Sequence, residues 1–328
     1  MSTSLPESHR TVSEVGELAA LAAILPLLPP APLAQLGPGD DSAVIKAPDG
    51  RVVISCDMMI EGPDFHRAWS SLSDVGFKAV ASNAADIAAM GAIPTGFEIA
   101  LAAPGETTVA DLQDLATGFA EGIAALAPGA GVVGGDLSKA PVIMIAVTVL
   151  GDLEGRAPVT RSGAQPGDVV AVAGELGLSH QGLRALRAAR GDSSSIRDLV
   201  DNDRAVRHHL RPVPLITLGP LAARAGATAM MDISDGLVLD ATRLAHASGV
   251  HLELDSSMSW SDDALFGGED HGLLACFGGS TPLPEGFRAI GLVLARGEKD
   301  TPVSLQGRDL HASRGGWDPF AEIEDSKK

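Results

Sequence analysis

A polar stretch rich in glycine and proline, DLEGRAPVTRSGAQPGD at residues 152–168, interrupts the apolar segments near the middle of the chain. Such a stretch is typical of a boundary between domains, which few contacts cross. The chain has 328 residues, of which 45% are hydrophobic, so it is long enough to bury more than one core. We predict two domains, residues 1–154 and 155–328, with the boundary near Gly155.

Strand and helix patterns alternate on both sides of this stretch. Ser13 precedes an apolar run that ends at Pro26 and predicts a capped helix, and residues 51–57 have the β-branched side chains of a strand. A longer helix is predicted from an N-cap at Ser73 to a stop at Gly91. In the second half, the strand patterns have irregular and in places hairpin-like spacing. We therefore predict an α+β protein with mixed sheets rather than a doubly wound sheet.

The charge and the cysteine content argue against several classes of protein. The formal net charge is −18 with only six lysines, so we expect no groove for nucleic acid. Two cysteines are too few for a disulfide framework. The uncharged run at residues 18–39 is broken by prolines and follows Glu14 and Glu17, which predicts neither a signal peptide nor a membrane span. The predicted location is the cytoplasm.

Aspartates recur at the predicted ends of strands. Short carboxylates on a rigid backbone suit Mg²⁺, which takes oxygen ligands in near-octahedral geometry. An acidic protein that binds a polyphosphate needs such cations between its own carboxylates and the phosphates. Each aspartate taken singly also fits a structural role, and Asp235 could cap the helix predicted after it. The candidates are Asp41, Asp57, Asp136, Asp232 and Asp235.

Asp86 differs from these because it lies inside a predicted helix, where aspartate is disfavoured. Asn83 and Met90 lie three and four residues away on the same face of that helix. From these residues, a functional and a structural role for Asp86 are equally supported. The sequence has neither a G-x-x-x-x-G-K-[ST] loop nor the H-R-D and D-F-G motifs of protein kinases. Bound phosphates would therefore contact metals and backbone amides, for which the segment 134–136 is suited.

Eight motifs occur in the order found in one enzyme family. They are GPGDDSAVI, SCDMMIEG, KAVASNAADIAAMGAIP, VVGGDLS, PVTRSGAQPGD, MMDISDGLVLD, GGEDHGLLACF and GGWDPF. The resemblance runs from about residue 11 to about residue 320, and eight ordered motifs are far more specific than an isolated GGD. By these motifs the chain resembles the thiamine-monophosphate kinase family, within the aminoimidazole-ribonucleotide synthetase superfamily.

The resemblance implies a fold and an activity. It implies homodimers whose N-terminal sheets pair into a barrel, C-terminal domains that are α/β sandwiches, and ATP bound in a groove near the dimer interface. It also implies transfer of the γ-phosphoryl group of ATP to thiamine monophosphate with several Mg²⁺ ions, which gives thiamine diphosphate and ADP. In-line transfer of this kind needs positioning and charge neutralisation more than a covalent nucleophile.

The resemblance also assigns site residues, position by position. The metal-binding positions are Asp41, Ser55, Cys56, Asp57, Asp86, Asp136, Asp232 and Asp235. The nucleotide contacts are Gly135, Asp136, Arg161 and Ser234, and the residues expected to take part in the transfer itself are Asp136 and Asp235. The substrate-side positions are Asp64, Glu269 and Trp317.

The chain departs from the family pattern near the substrate. The family usually has His-Phe where this chain has Asp64-Phe65, and His66 follows one residue later. We expect that His66 does not replace the missing histidine, because a shift of one residue in an extended segment turns a side chain to the opposite face. Cys56 stands where a hydroxyl residue is usual, and a thiol is a poor Mg²⁺ ligand, so a contact there would come from the backbone oxygen.

Two alternatives stay open at this point. One is another ATP-dependent synthetase of the superfamily, such as an amide-activating or selenophosphate-forming enzyme. The sequence argues against it because it shows neither a catalytic N-terminal cysteine nor a cysteine-terminated tail. The other is a catalytically weak nucleotide-binding dimer with a regulatory role, which the substitution at Asp64 keeps open.

Overall fold

The computed structural model of the chain describes residues 9–38, 42–297, 301–311 and 315. Asp41 and Trp317, which the resemblance assigns to metal and substrate, lie outside these described residues. The elements of the first half are α1 (Val12–Val15), α2 (Glu17–Ile24), a 3₁₀ turn (Leu25–Leu27), β1 (Ala34–Leu36), β2 (Val44–Ile45), β3 (Val53–Ile60), α3 (Leu72–Ala89), β4 (Ile93–Ala103), α4 (Val109–Leu126), β5 (Val132–Lys139) and β6 (Met144–Asp152).

The first apolar segment forms two helices instead of the single predicted one. Gly16 separates α1 from α2 with a φ of +80°, a left-handed conformation that a continuous helix cannot contain. The helical start also lies earlier than predicted, because Glu14 accepts a hydrogen bond from the backbone N–H of Thr11 (2.8 Å) and fixes the first turn there. Ser13 is therefore inside α1 and does not cap it.

The long helix α3 has the boundaries that its caps dictate. Its N-cap is Ser71 rather than Ser73, since the Ser71 hydroxyl oxygen accepts from the N–H of Asp74 (3.1 Å) and donates to the Asp74 carboxylate (2.7 Å). The predicted stop at Gly91 is correct, and its φ is +74°. α4 crosses α3 closely at Gly76, where a Cβ atom would lie 2.4 Å from the carbonyl oxygen of Leu115.

Four strands of the first half form a sheet in the order β3-β6-β4-β5. β6 pairs antiparallel with β3 and with β4, whereas β5 runs parallel to β4. α3 covers one face of this sheet, and the apolar side chains between them form the core of the first half. The opposite face is open, with Ile54 65% and Met58 54% exposed. β3 and β5 are the two edges of this sheet.

Asp57 and Asp136 were predicted to lie at the ends of strands, but both lie inside strands. β3 continues for three residues beyond Asp57, because each of them keeps its antiparallel partner on β6. β5 likewise continues beyond Asp136 in parallel register with β4, and Leu137 is buried in the core. The prediction that these aspartates gather where strands end was therefore wrong.

The second half of the chain contains a larger mixed sheet. Its elements are β7 (Val169–Ala173), α5 (Leu178–Ala188), α6 (Ser193–Asn202), α7 (Arg204–Leu210), α8 (Leu218–Arg224), β8 (Ala227–Ile233), α9 (Leu237–Ser248), β9 (Val250–Leu254), α10 (Asp262–Phe266), β10 (Gly272–Phe277), β11 (Arg288–Ala295), β12 (Val303–Leu305) and β13 (Arg308–Asp309). The strand order is β13-β12-β9-β11-β7-β10-β8, and only β9 with β12 pair in parallel. The predicted α+β class with mixed sheets is confirmed.

Both faces of the larger sheet are covered in the region of β8. Met231 and Ile233 pack with α9 on one face, whereas Met230 packs with α8 on the other. α8 in turn approaches α3 so closely that a Cβ atom on Gly219 would lie 2.0 Å from the carbonyl oxygen of Ala88. α3 therefore packs against elements of both halves of the chain. Within the described part of the chain, no helix combines the length and the apolar character needed to cross a bilayer.

Candidate active site

The shared helix α3 places a carboxylate beside strand β3. The Asp86 carboxylate accepts a hydrogen bond from the hydroxyl of Ser55 (Oγ to Oδ2, 2.6 Å). Three residues earlier on the helix, the side-chain oxygen of Asn83 accepts from the backbone N–H of Asp57 (3.1 Å). Side chains alternate along a strand, so Ser55 and Asp57 both face α3. The sequence prediction that these residues belong to one site is consistent with this arrangement.

Asp232 approaches the same region from the end of β8. It is only 4% exposed, and its Oδ2 atom lies 3.5 Å from Nδ1 of His271. Burial and then the charges of Asp232 and Asp57 raise the pKa of Asp86 from 3.8 to about 7. Desolvation, and after it the charges of Asp232 and Asp235, also raise the pKa of Asp57. These four residues, Asp57, Asp86, Asp232 and Asp235, form one electrostatic unit, which we call the carboxylate cluster.

Asp235 does not cap the helix that follows it, which excludes that structural reading. The N-cap of α9 is Gly236, and the Asp240 carboxylate accepts from the N–H groups of Asp235 (3.0 Å) and Gly236 (3.1 Å). Arg243 donates to Asp235 (2.5 Å) and to Asp240 (2.7 Å), and so fixes both carboxylates. Burial, followed by the charges of Asp232 and Asp235, raises the pKa of Asp240 to about 7. The sequence reasoning missed Asp240 and Arg243.

The segment Glu269–His271 presents three consecutive polar side chains to three different partners. The middle residue, Asp270, accepts from the N–H groups of Gly177 (2.5 Å) and Ser179 (2.8 Å) at the start of α5, which anchors the segment. Its neighbours Glu269 and His271 have φ angles of +64° and +51°. Non-glycine residues rarely adopt this conformation, and it costs about 1 kcal/mol or more at each position. The anchored segment thereby brings Glu269 to Lys78 of α3 and His271 to Asp232 of β8.

Glu269 meets a buried lysine on α3. The Nζ atom of Lys78 lies 2.7 Å from Oε1 of Glu269, and Nδ1 of His209 lies 3.2 Å from Oε2. Although burial opposes ionisation of Glu269, the charge of Lys78 and the hydrogen bond with His209 hold its pKa below the usual range. Asp64 accepts from the backbone N–H of Ile60 (2.7 Å), and its pKa is raised by burial and then by the charge of Glu269.

The two described substrate-side residues, Asp64 and Glu269, thus lie close enough to interact, whereas His66 does not join them. The His66 ring packs edge-on against Trp69, with 4.5 Å between ring centroids. Burial and then the charges of Arg190 and Arg187 lower its pKa. Lys78 and His209 were not predicted from the sequence, although Lys78 precedes Asp86 by eight residues, a spacing close to two helical turns.

Some predicted site residues are not brought to the carboxylate cluster within one chain. Gly135 and Asp136 lie on β5, at the opposite edge of the sheet from β3, which is about 14 Å across three strand spacings. Asp136 is exposed on the open face, where it accepts from the hydroxyl of Ser138 (2.8 Å). The Cys56 side chain is exposed on the same open face, because it alternates with Ser55 and Asp57 along β3.

The nucleotide-side residues are also divided. Ser234 lies between Asp232 and Asp235, and its carbonyl oxygen accepts from the N–H of Glu269 (2.7 Å), so it belongs to the cluster region. Arg161 is exposed, and its carbonyl oxygen accepts from Ser248 (2.8 Å) at the far end of α9. A helix of 12 residues is about 18 Å long, so the backbone of Arg161 is well separated from Ser234.

The donors of the carboxylate cluster have the chemistry that Mg²⁺ requires. All are carboxylate oxygens, with the hydroxyl of Ser55 bonded to one of them, and the charges of Asp232 and Asp57 that raise the pKa of Asp86 show that negative charge accumulates there. Among residues 9–38, 42–297, 301–311 and 315, no three His, Cys, Asp or Glu side chains already have the arrangement of a metal site. The donor chemistry therefore fits a magnesium ion, and a complete ligand set needs groups beyond those described.

Comparison with protein families places the chain. The models for AIR synthase related proteins match it in two parts, the N-terminal domain at residues 39–153 and the C-terminal domain at residues 165–277. Thiamine-monophosphate kinase from Mycobacterium tuberculosis is 42% identical over 304 residues, which cover 88% of this chain and 86% of that protein. The enzyme of the same name from Corynebacterium glutamicum is 36% identical over 303 residues, covering 86% of this chain and 88% of that protein.

Solved structures agree with these relatives. The crystal structure of thiamine monophosphate kinase from Aquifex aeolicus has a TM-score of 0.69 and 31% identity, and covers 81% of this chain and 90% of that chain. A structure of AaThiL complexed with AMPPCP and TMP has a TM-score of 0.70 and 31% identity, with 85% and 90% coverage. Two structures of HypE from E. coli, a hydrogenase maturation protein, have TM-scores of 0.64 and 0.66 at 19% identity and share the fold alone. The chain therefore belongs to the thiamine-monophosphate kinase family of AIR synthase related proteins.

Proposed function

We infer that the protein transfers the γ-phosphoryl group of ATP to thiamine monophosphate and forms thiamine diphosphate and ADP. The observation that carries this inference is the meeting of Asp57, Asp86 and Asp232 from three separate elements, in a chain 42% identical to a thiamine-monophosphate kinase. The related structure of AaThiL contains AMPPCP, an ATP analogue, together with a ligand named TMP, and thiamine monophosphate is abbreviated in the same way. ATP is accordingly the co-substrate.

The reaction brings two phosphate-bearing molecules together, so charge is the main obstacle. We propose that Asp57, Asp86 and Asp232 hold Mg²⁺, which when bound supplies positive charge between the phosphates. Ser55 orients Asp86 through its hydroxyl, and Arg243 orients Asp235. These contacts hold the carboxylates before substrate arrives, which lowers the cost of organising the site.

The remaining contacts are proposed from position. Ser234 stands just before the N-terminus of α9, where backbone N–H groups favour an anion, and we propose that it contacts a phosphate of ATP. Asp64 and Glu269 take the thiamine part of the acceptor, and Trp317 stays a predicted contact of that part. Arg161 as a nucleotide contact and Asp41 as a metal ligand stay predictions.

The open face of the four-stranded sheet suggests why Gly135 and Asp136 lie away from the carboxylate cluster of their own chain. A four-stranded sheet with β3 and β5 as its edge strands and with exposed Ile54 and Met58 can pair edge to edge with a second copy and close into a barrel. In such a homodimer β3 of one chain would meet β5 of the other. We propose that Asp136 of the partner subunit, with the glycine before it, thereby completes the metal and nucleotide site beside Asp57. In this proposal residues 1–154 bind ATP and form the dimer, residues 155–328 form the α/β domain, and the location is the cytoplasm.

Co-expression of two inactive variants tests whether the site is shared between chains. If Asp86 and Asp136 of one site come from different chains, Asp86→Asn and Asp136→Asn subunits together form mixed dimers with one intact site. Random pairing then restores about one quarter of the wild-type activity. If one chain supplies both residues, the mixture stays inactive. Each variant expressed and assayed alone is the control, and both should be inactive.

A direct assay tests the activity itself. The protein is incubated with ATP, Mg²⁺ and thiamine monophosphate, and thiamine diphosphate is followed by mass spectrometry. Thiamine and aminoimidazole precursors are included as competing acceptors, because they separate a kinase from another synthetase of the superfamily. Turnover of another acceptor alone would favour the synthetase alternative, and nucleotide binding without turnover would favour the regulatory dimer.

A further inference from the structure

A lysine is buried between the two halves of the chain. The Lys78 side chain is 7% exposed, and its only described salt-bridge partner among residues 9–38, 42–297, 301–311 and 315 is Glu269. A buried ammonium group is costly unless it is paired, so this position needs a reason beyond packing. An apolar side chain of similar length would fill the same space without that cost.

The partner of Lys78 is held from two sides. Lys78 reaches Oε1 of Glu269 from α3 (2.7 Å), and His209 reaches Oε2 from α7 (3.2 Å). The same Nδ1 atom of His209 lies 3.0 Å from the hydroxyl oxygen of Ser179, so one N–H group is shared between Glu269 and Ser179. A carboxylate has about four acceptor positions, so Glu269 keeps free lone pairs after both contacts. Its side chain is 32% exposed and is therefore accessible to a ligand.

The pair lies at a defined distance from the carboxylate cluster. Lys78, Ser82 and Asp86 follow one another at intervals of four on α3 and so share one side of the helix. Eight residues correspond to about 12 Å along the helix axis. A phosphate bound near Asp86 would therefore leave the organic part of a phosphomonoester of thiamine's size extending towards Lys78 and Glu269.

We propose that Lys78 is a positioning residue for Glu269. It pairs with the Glu269 carboxylate and so holds residue 269 in its strained backbone conformation, in which the carboxylate faces the thiamine part of the acceptor. Lys78 acts through Glu269 and does not itself touch the reacting phosphates. Thiamine carries a permanently cationic thiazolium ring, which a fixed carboxylate attracts. This inference rests on the proposed function, and it gives a role to Lys78, which begins one of the eight motifs but has no role among the site residues that the resemblance assigns.

Asp64 is the other charged group that faces this pair. Its charge interacts with both Glu269 and Lys78, since Glu269 raises its pKa and Lys78 lowers it after the larger effect of burial. Without Lys78, two carboxylates would repel each other across the subsite. Lys78 therefore also keeps Asp64 and Glu269 compatible in a chain that has Asp64 in place of the usual histidine.

Steady-state kinetics with both substrates tests the proposal. Lys78→Met keeps the length of the side chain and removes the charge, and we expect the KM for thiamine monophosphate to rise about tenfold or more. The KM for ATP should change less than about twofold, because the nucleotide contacts are elsewhere. Lys46→Met, at an exposed lysine of the first half, is the matched control and should leave both constants unchanged.

A double-mutant cycle separates positioning from a general structural role. If Lys78 acts only through Glu269, then Lys78→Met combined with Glu269→Gln has the same KM for thiamine monophosphate as Glu269→Gln alone. The double variant leaves neither charge unpaired, and Glu269→Gln keeps an amide oxygen that can accept from Lys78, so the comparison of these two serves even if Lys78→Met does not fold. A further rise in KM in the double variant, or equal changes for both substrates in Lys78→Met, would overturn the proposal.

The result also distinguishes this inference from the proposed function. A wild-type protein that forms no thiamine diphosphate contradicts the function. An active wild-type protein whose Lys78→Met variant has an unchanged KM for thiamine monophosphate contradicts the role of Lys78 alone.

Discussion

Replacing Asp86 by asparagine should raise the stability of the metal-free protein while it abolishes turnover. The substitution keeps the volume of the side chain and leaves an oxygen to accept from Ser55, but it removes one negative charge from the carboxylate cluster. The pKa of Asp86 is raised from 3.8 to about 7, so ionisation of the folded protein at pH 8 costs about 4 kcal/mol. For a chain of 328 residues this corresponds to an increase in Tm of about 6 °C.

The pH dependence gives the sign of the effect. Because the folded-state pKa of Asp86 is above 3.8, the stability associated with the protonated group is fully present below pH 3.8. It is lost as the pH rises towards 7, and the cost is constant above that value. The advantage of Asp86→Asn should therefore shrink from about 4 kcal/mol at pH 8 to about 1.5 kcal/mol at pH 5.

Thermal unfolding in EDTA at pH 8 and pH 5 measures this difference. Asp74→Asn is the matched control, since it makes the same chemical change on the same helix outside the carboxylate cluster, where it removes the charged partner of Arg211. It should lower Tm by about 1.5 °C, as expected for a loss of about 1 kcal/mol. Added Mg²⁺ should stabilise the wild type and not Asp86→Asn. An Asp86→Asn protein no more stable than the wild type at pH 8 would refute the reasoning.

Three further variants probe separate parts of the site. Asp136→Asn should abolish turnover with an unchanged Tm, because its side chain is exposed and bonded only to Ser138 among described residues; retained kcat at limiting Mg²⁺ would contradict its role. His66→Ala should leave the KM for thiamine monophosphate unchanged, since the ring packs on Trp69; a large rise with constant KM for ATP would show the opposite. Gly135→Ala should lower Tm and activity together, because the added Cβ atom would lie 2.1 Å from a backbone oxygen of β4. A Tm equal to that of the wild type would instead show that β5 can shift to make room.

The sequence predicted much of the candidate site because local patterns carried it. Asp86 was singled out by its poor helix propensity, and it does lie against Ser55 of β3. The strand patterns before Asp232 and around Asp57 were correct, and alternation along β3 explains why Ser55 and Asp57 share a face while Cys56 does not.

Long-range pairing was not predictable in the same way. Lys78 finds Glu269 across 191 positions of sequence, and nothing local to α3 indicates a partner on a loop of the other half. The face occupied by Asp136 depends on the register of β5 against β4, which shifts between Phe97 and Glu98. Such a shift exchanges the two faces of a strand, so a periodicity of two could not assign Asp136 to a side.

Helix boundaries show a third kind of limit. Gly16 could end a helix or lie within one, and only its positive φ reveals the break between α1 and α2. Asp235 and Asp240 are both suitably placed near the start of α9, and the structure assigns the N-terminal contacts to Asp240. Competition between nearby side chains for the same backbone groups decides such cases.

Transfer of an isotopic label tests the central claim most directly. The protein is given ATP whose γ-phosphoryl oxygens are ¹⁸O, together with Mg²⁺ and unlabelled thiamine monophosphate, and the products are analysed by mass spectrometry. A kinase that transfers the γ-phosphoryl group gives thiamine diphosphate that carries the heavy oxygens, with one ADP for each molecule formed. Labelled inorganic phosphate without labelled thiamine diphosphate would contradict the account.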